Sequence, residues 1–452
     1  MTPYAAAAAA AEDTDLIGRL PDCLLTSILS LLPLDAAART TVLSRQWCRL
    51  WSSTPLRLID SDLPSPSLYH SAAISRILTS HRGNAISFHL SLSRPSSADL
   101  DSWLRILAAK RLQELVLQPP SEPLPLLPSL LACHSLRSAD LTNCRLPAAA
   151  ATVASFPHLI ELTLRYAFIS SPALHGLFAG CPSLVSLSLD RVFGCRSLRV
   201  RSGSLRSLTV SVSLRWREEI GEELQDLVIE EAPLLERLLG HDINWGPSIH
   251  VLHAPRLEIL GYLGVGIPSL QLGSALFHAM RAVRLTAEFR SMKTLALEMV
   301  DPQMKPVIDL LRCFPCLETL YITSHMVVPR SMETLKCDNM DDPIECLKHH
   351  LKKVVLVGYE GQKRELQLAM FLVSNARVLQ EHQHSVDNAE TSGESSSDCI
   401  KAIGNMSNEK AINTTNTNDS EPYTVLQRRP NIVMSNLKQW FEVIWVAVTC
   451  IC

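Results

Sequence analysis

Cys313 and Cys316 form a CFPC with the spacing of a zinc half-site or of a redox-active dithiol. A tetrahedral zinc site needs a second ligand pair at comparable spacing, and the sequence offers none beside it. Cys346, His349 and His350 are close in sequence, yet they lead into an apolar run flanked by Lys348, Lys352 and Lys353. That pattern reads as a solvated strand end, not a ligand set. A phosphate-cradling glycine loop, a G-x-S-x-G elbow and an H-E-x-x-H pair are all missing. The N-x-S/T triplets at Asn405, Asn413 and Asn418 lie in a polar stretch with no secretion signal ahead of it, and are discounted as glycosylation sites. No catalytic residue, metal or cofactor is expected; what remains for this chain to do is recognition.

Bulk properties agree with that. At 452 residues, 47% hydrophobic and 19% charged, the chain has ample material for a large core. A net charge of −3 gives no reason to expect nucleic acid or a membrane surface as partner. The 13 cysteines are scattered and mostly sit in or beside hydrophobic runs, which suits small buried thiols in a reducing compartment. The N-terminal MTPYAAAAAAAEDTD has neither a basic region nor an apolar core, so a cytoplasmic or nuclear location is expected.

Two kinds of element could present recognition surfaces. The first is Leu20–Trp51, with three short amphipathic segments. Pro21 suits the first helical position, Pro33 stops the first segment, Asp35 is placed to cap the second and Ser44 the third. So small a unit cannot bury all its leucines and both tryptophans, so part of that surface is expected to face a partner. The second is a recurring L-x-x-L-x-L phrase at Leu112, Leu136, Leu159, Leu184, Leu205 and Leu224, with weaker copies at Leu257, Met292 and Leu317. A period of roughly 19 to 25 residues with alternating leucines predicts a curved solenoid of stacked short strands. Strands are also predicted over Pro55–Asp60 and over Asn84–Leu92, the latter with Ile86, Phe88, Leu90 and Leu92 on one side. Helices are predicted over Ser67–Ser80 and Leu100–Ala109, and Gly240–Gly273 reads as irregular repeats with long loops.

The order LPDCLLTSILSLLPL, an alanine-rich turn, then VLSRQWCRLW closely resembles the F-box of plant leucine-rich-repeat proteins. Near the other end, LKKVVLVGYEG, Glu365 and SNARVL resemble the FBD unit that follows such repeats, without the further strand that usually continues it. The resemblance implies an α/β protein: a three-helix F-box over 13–55, then a leucine-rich-repeat solenoid over 56–345. The solenoid's parallel sheet would lie on the concave face with helices and turns outside. A truncated FBD-like unit over 346–382 follows, with Leu366, Met370, Phe371 and Val373 on its helix face. An alanine-rich leader (1–12), a disordered stretch (383–430) and an apolar tail (431–452) complete the division. The tail, at about a dozen apolar residues, falls short of the roughly twenty a membrane span needs.

The resemblance further implies a non-catalytic receptor of a Skp–cullin–F-box ubiquitin ligase. By position, Leu20, Pro21, Ile28, Leu29, Leu32, Val42, Leu43, Trp47, Leu50 and Trp51 are the candidate contacts to the Skp-type adaptor, some of which must pack inside the unit. Residues between the buried leucines point out of the concave face and are candidates to hold a target protein, among them Glu114, Asp140, Glu161, Arg165, Asp190 and Tyr321. The alternative is a repeat scaffold or sensor with no part in ubiquitination.

Overall fold

Proline spacing sets the three N-terminal helices, α1 (Asp22–Leu31), α2 (Leu34–Arg39) and α3 (Arg45–Ser53). Pro21 and Pro33 are the residues that precede α1 and α2, so Pro21 caps from outside the helix, and Asp35 lies in the first turn of α2 where Pro33 takes the capping place. Leu32 is extended at ψ 147°, as a residue before proline must be, and that ends α1. Ser44 caps α3 as expected, its Oγ accepting from the Trp47 N–H at 3.4 Å. Leu25, Leu29, Ala37, Trp47 and Leu50 form the interior of this unit.

The computed structural model describes residues 17, 20–63, 70–93, 95–118, 123–125, 128–146, 155–212, 224–241, 247–264, 266–285, 288–299, 304–324, 344–359 and 363–385. The expected leader, the apolar tail and most of the expected disordered stretch lie outside them.

Among the described residues the solenoid carries one thirteen-stranded parallel sheet. Its strands are β1 (Leu56–Ile59), β2 (Ala85–Leu90), β3 (Glu114–Leu117), β4 (Ser138–Thr142), β5 (Glu161–Arg165), β6 (Ser186–Asp190) and β7 (Ser207–Ser211). They continue through β8 (Arg237–His241), β9 (Ile259–Gly264), β10 (Thr294–Met299), β11 (Thr319–Ser324), β12 (Lys353–Val357) and β13 (Glu381–Ser385). The repeat phrase explains the register. Leu115, Ala139, Leu162, Leu187, Leu208 and Leu238 are direct partners across successive strands, and all are buried. Each such leucine is worth about 1.5–3 kcal/mol when fully buried, and none can be buried by one repeat alone.

Two further devices lock each repeat to the next. Before each of β3 to β11 one carbonyl accepts two amides from the following repeat; Arg137 O takes the N–H groups of Ile160 and Glu161. After β4, β5 and β6 the chain turns through Asn143, Tyr166 and Arg191, all in the left-handed region at φ 50–53°. Each turn residue donates its N–H to the next strand, Asn143 to Arg165 O at 2.7 Å and Tyr166 to Asp190 O at 2.8 Å. Asparagine tolerates that conformation; tyrosine and arginine are held in it by the repeat.

The outer layer departs from the expected one. It is helical at first, with α4 (His70–Ser80), α5 (Ser97–Ala109) and α6 (Ser171–Ala179). It then becomes a second, six-stranded sheet built from Ser197–Arg201, Asp226–Glu231, Ser248–Val251, Ser269–Leu272, Ala275–His278 and Arg281–Arg284. LQDLVI at Leu224 belongs to this outer sheet, and the inner strand of its repeat is β8. Alternating leucines specify a half-buried strand but not which wall of the solenoid it joins, since Leu227 and Ile229 meet the same core from outside. For the same reason Gly240–Gly273 is more regular than its glycine and proline content predicts.

Three more expectations change. A register shift between Leu56 and Arg57 lets Ala85 take a buried place in β2, while Phe88 and Leu90 keep theirs and Leu92 is exposed. After α7 (Met304–Cys313) and α8 (Glu345–His349), helix α9 (Lys363–Asn375) buries Leu368 and Leu372, leaving Met370 exposed. The C-terminal unit continues into the further strand that the sequence reading leaves out: β13 pairs in parallel with β12 over five residues, including 383–385 of the stretch expected to be disordered.

Candidate interaction surfaces

Helix α1 is apolar on two faces. Leu25 and Leu29, one turn apart, point into the unit, while Leu24, Ile28 and Leu31 point out, with Leu31 84% exposed. Leu32 joins them from the turn, and Val42 and Leu43, both exposed, lie on the connection between α2 and α3. Of the ten sequence candidates, Pro21, Ile28, Leu32, Val42 and Leu43 are therefore outward, Leu20 and Trp51 are half-buried, and Leu29, Trp47 and Leu50 are interior. The outward set gains Leu24 and Leu31. Both stand in the sequence at helical spacing from Ile28, four residues before it and three after, and Ile28 is itself offset by one residue from buried Leu29. The interior of the unit closes without this apolar stripe.

The unit is fixed to the first repeat at the C-terminal end of α3, whose last carbonyls lack partners within the helix. The solenoid supplies them. Ser52 O accepts the N–H groups of Arg82 and Gly83, each at 3.0 Å. Trp51 O lies 2.9 Å from His81 Nε2, and His81 Nδ1 accepts the Gly83 N–H at 3.2 Å. A neutral imidazole protonated at Nε2 satisfies both contacts. Burial holds the His81 pKa below its ordinary value, with the nearby Lys110 ammonium acting in the same direction. Lys110 Nζ in turn donates to the His81 carbonyl. The Trp51 and His81 rings meet edge to face at 5.4 Å, and Trp51 packs on the cores of both the helical unit and the solenoid.

On the inner sheet the six target-binding candidates all occupy positions between core residues. Glu114, Ser138, Glu161, Ser186 and Ser207 form one row across β3 to β7, and Asp140, Thr163, Ser188 and Thr209 the next. Arg165, Asp190 and Ser211 form a third. Arg165 Nη1 lies 3.3 Å from Asp140 Oδ2. Burial pushes the Asp140 carboxyl up despite the opposing pull of Arg165. Tyr321 shares the face but stands on β11, apart from the others, which lie on β3 to β6. On the strands before it the same face holds Leu239, Tyr262, Ala296 and Glu298, all buried. The structure thus brings five of the six together and sets Tyr321 apart.

Burial disfavours thiolate chemistry at five of the described cysteines. Cys133, Cys144, Cys181, Cys313 and Cys346 are buried, which pushes each pKa up to about 12, away from the thiolate that redox or zinc chemistry needs. Among the described residues no group of three or more His, Cys, Asp or Glu is placed to hold a metal. None of the described helices is long and apolar enough to cross a membrane.

Residues 17–58 match the F-box domain family, residues 100–322 the LRR repeats of FBD-associated F-box protein At5g56370, and residues 339–382 the FBD family. The chain is 25% identical over 389 residues to F-box/FBD/LRR-repeat protein At1g13570 of Arabidopsis thaliana, across 82% of this chain and 90% of that protein. It is 27% identical over 395 residues to F-box/FBD/LRR-repeat protein At3g26920 of the same plant, across 83% and 90%. The putative F-box/FBD/LRR-repeat protein At2g05300 is 34% identical over 237 residues, half of each chain.

Proposed function

The chain belongs to the plant F-box/FBD/LRR-repeat proteins, and from that premise we propose that it recruits a target protein to a Skp–cullin–F-box ubiquitin ligase. The observation that carries this reading is the set of large apolar side chains left outward on this small unit, Leu24, Ile28 and Leu31 on α1 and Val42 and Leu43 on the α2–α3 connection, while Leu25, Leu29, Ala37, Trp47 and Leu50 form its interior. Apolar surface of that kind on an F-box fits the desolvated groove of a Skp-type adaptor, where truncating a central apolar anchor costs ~2 kcal/mol or more. The adaptor would link the chain to a cullin, and the inner rows from Glu114 to Asp190 would hold the target. Catalysis would be proximity: a target lysine held near charged ubiquitin at high effective concentration, with no reacting group supplied by this chain.

Co-purification of the full chain with the Skp adaptor tests the reading. Ile28→Asp with Leu31→Asp, at two outward positions, is expected to abolish capture while leaving thermal unfolding unchanged. Undiminished capture by a folded double variant would sink the assignment of the stripe. Leu29 and Trp47 are unsuited to this test, because substitutions there empty the interior.

A further inference from the structure

At one rim of the inner sheet the backbone suits asparagine, and two of three repeats place a large side chain there instead. Asn143, Tyr166 and Arg191 hold the same left-handed turn position after β4, β5 and β6. Asparagine enters that conformation readily, whereas tyrosine and arginine gain nothing locally from it. Two residues further on, Arg145, Phe168 and Phe193 are again equivalent, with Phe168 bridged in parallel to both of the others. Backbone bonds of 2.8 Å build a short ladder here, Phe168 N–H to Cys144 O, Leu146 N–H to Phe168 O, Phe193 N–H to Ala167 O and Ile169 N–H to Phe193 O. The ladder fixes the rings, and Phe168 and Phe193 stack with centroids 5.1 Å apart. Two of the rim's rings each carry a guanidinium. That of Arg145 lies 5.0 Å from the centre of Phe168, and that of Arg191 lies 5.1 Å from the centre of exposed Tyr166, whose hydroxyl accepts from Arg191 Nη1. Exposed arginines such as Arg105, Arg199 and Arg206 are instead ion-paired with carboxylates of this chain. Among the described residues exposed Arg145 has no such partner, and Arg191 Nε stands 3.9 Å from Asp190 Oδ1, beyond hydrogen-bond length. A guanidinium laid over a ring keeps coplanar N–H groups for a charged acceptor.

We infer that this ledge of Arg145, Tyr166, Phe168 and Arg191 anchors an extended protein segment that presents a carboxylate side chain beside an aromatic or large apolar one. That the segment belongs to the recruited target rests on the ligase reading above; its chemistry rests on the ledge. Arginine and tyrosine are enriched among interface anchors, and here the ladder and the ring contacts order both before binding, so docking freezes little. The ledge continues the third row of the inner face, since Tyr166 and Arg191 directly follow Arg165 and Asp190. A segment laid along that row reaches both guanidinium groups. The carboxylates of Asp140 and Asp190 stand beside the same row and oppose a nucleic-acid strand, which carries a charge at every nucleotide. A peptide with one or two acidic side chains sets each against a guanidinium and its apolar neighbour against a ring.

The test selects a display library of short random peptides on the full chain and titrates synthetic copies of the enriched peptides by fluorescence anisotropy. Enriched peptides are expected to place Asp or Glu next to Phe, Tyr, Trp or Leu. Arg145→Gln with Arg191→Gln is expected to weaken them about tenfold or more, as is Tyr166→Asn, which suits the left-handed turn. Arg105→Gln with Arg206→Gln, at arginines already ion-paired elsewhere, should leave affinity within about twofold. Changing the peptide's carboxylate to an amide should weaken binding to the wild-type chain and have little further effect on the Arg145→Gln, Arg191→Gln variant, a comparison that does not depend on variant folding. Enriched peptides without acidic residues would overturn the inference, as would an amide change that costs as much in that variant as in wild type. So would binding seen only when phosphoserine replaces the carboxylate, or tighter binding of oligouridine RNA through the same residues. Adaptor capture that persists while peptide binding is absent refutes this inference alone. Peptide binding at the ledge by a chain that fails to capture the adaptor refutes the ligase reading alone.

Discussion

Gly83→Ala is the substitution that asks most directly whether the F-box is held by the solenoid. A Cβ at Gly83 would stand 2.4 Å from Thr54 O and 2.9 Å from Ser53 O, both backbone atoms at the end of α3. Neither can swing aside as a side chain would, so the 81–84 segment and the helix end must separate. That separation removes the Arg82 and Gly83 donors from Ser52 O and stretches the His81 contact to Trp51 O. A net hydrogen bond contributes about 0.5–1.5 kcal/mol, and a half-buried carbonyl left without a donor costs about 1–3, so a loss of about 2–4 kcal/mol is expected. Gly203→Ala is the control, since a Cβ there meets nothing within 4 Å and should shift stability by less than about 0.5 kcal/mol. Urea unfolding of both variants gives the magnitude. Hydrogen exchange over residues 45–54 should then show α3 opening before the repeats in Gly83→Ala alone. Equal urea midpoints for the two alanine variants, with α3 equally protected, would refute the joint as a load path between the units.

Two further outcomes concern titrating groups. The fully buried Asp60 carboxylate accepts the N–H groups of Ser91, Leu92 and Ser93 at 3.0, 2.8 and 2.7 Å. Burial pushes its pKa up, but these donors outweigh it and hold the folded value below the ordinary one, so its stabilisation is present above the unfolded pKa of about 3.9 and fades as pH falls through the folded value. Asp60→Asn should cost about 2–3 kcal/mol at pH 7, with the gap to wild type closing as the pH falls below the unfolded value and through the lower folded one, as measured by urea midpoints across pH. His81 has a folded pKa below its unfolded value of about 6.5, so its contribution is complete above that pH and is lost on acidification through the folded value. Protonated Nδ1 would face the Gly83 N–H with no acceptor to offer, and Lys110 adds a second positive charge. The stability advantage of wild type over His81→Gln should therefore shrink between pH 7.5 and pH 5; a constant difference would show that the ring does not titrate in the joint.

Much of the solenoid is legible in the leucines because the repeat phrase fixes both period and burial. Leu159, Leu162 and Leu164 are buried as the spacing demands, and the same holds from repeat to repeat. What the phrase does not encode is the wall a strand belongs to. LQDLVI at Leu224 and LERLLG at Leu235 both place two leucines three residues apart, and the two sheets share one core, so only long-range pairing separates them. Strand β13 was hidden for a different reason. EHQHS is polar and lacks β-branched residues, so pairing with β12, not its own composition, makes it a strand.

The F-box face shows why recognition residues are harder to read than core residues. Helix α1 carries leucine or isoleucine at positions 24, 25, 28, 29 and 31, so its periodicity points in two directions at once and cannot say which is inward. The decision comes from α3. Trp47 and Leu50 lie on one side of that helix, and only the Leu25–Leu29 side of α1 can meet them together with Ala37. The remaining side is outward by exclusion. An apolar surface that folding does not consume must answer to another molecule or to aggregation. Among the outward residues, Leu31 and Val42 are the most exposed, at 84% and 85%, and so have the most surface left for a partner to bury. Burial within the chain therefore ranks the candidates in the reverse order of their contribution to its stability, and Leu29, Trp47 and Leu50 drop down the list of contacts because folding already uses them.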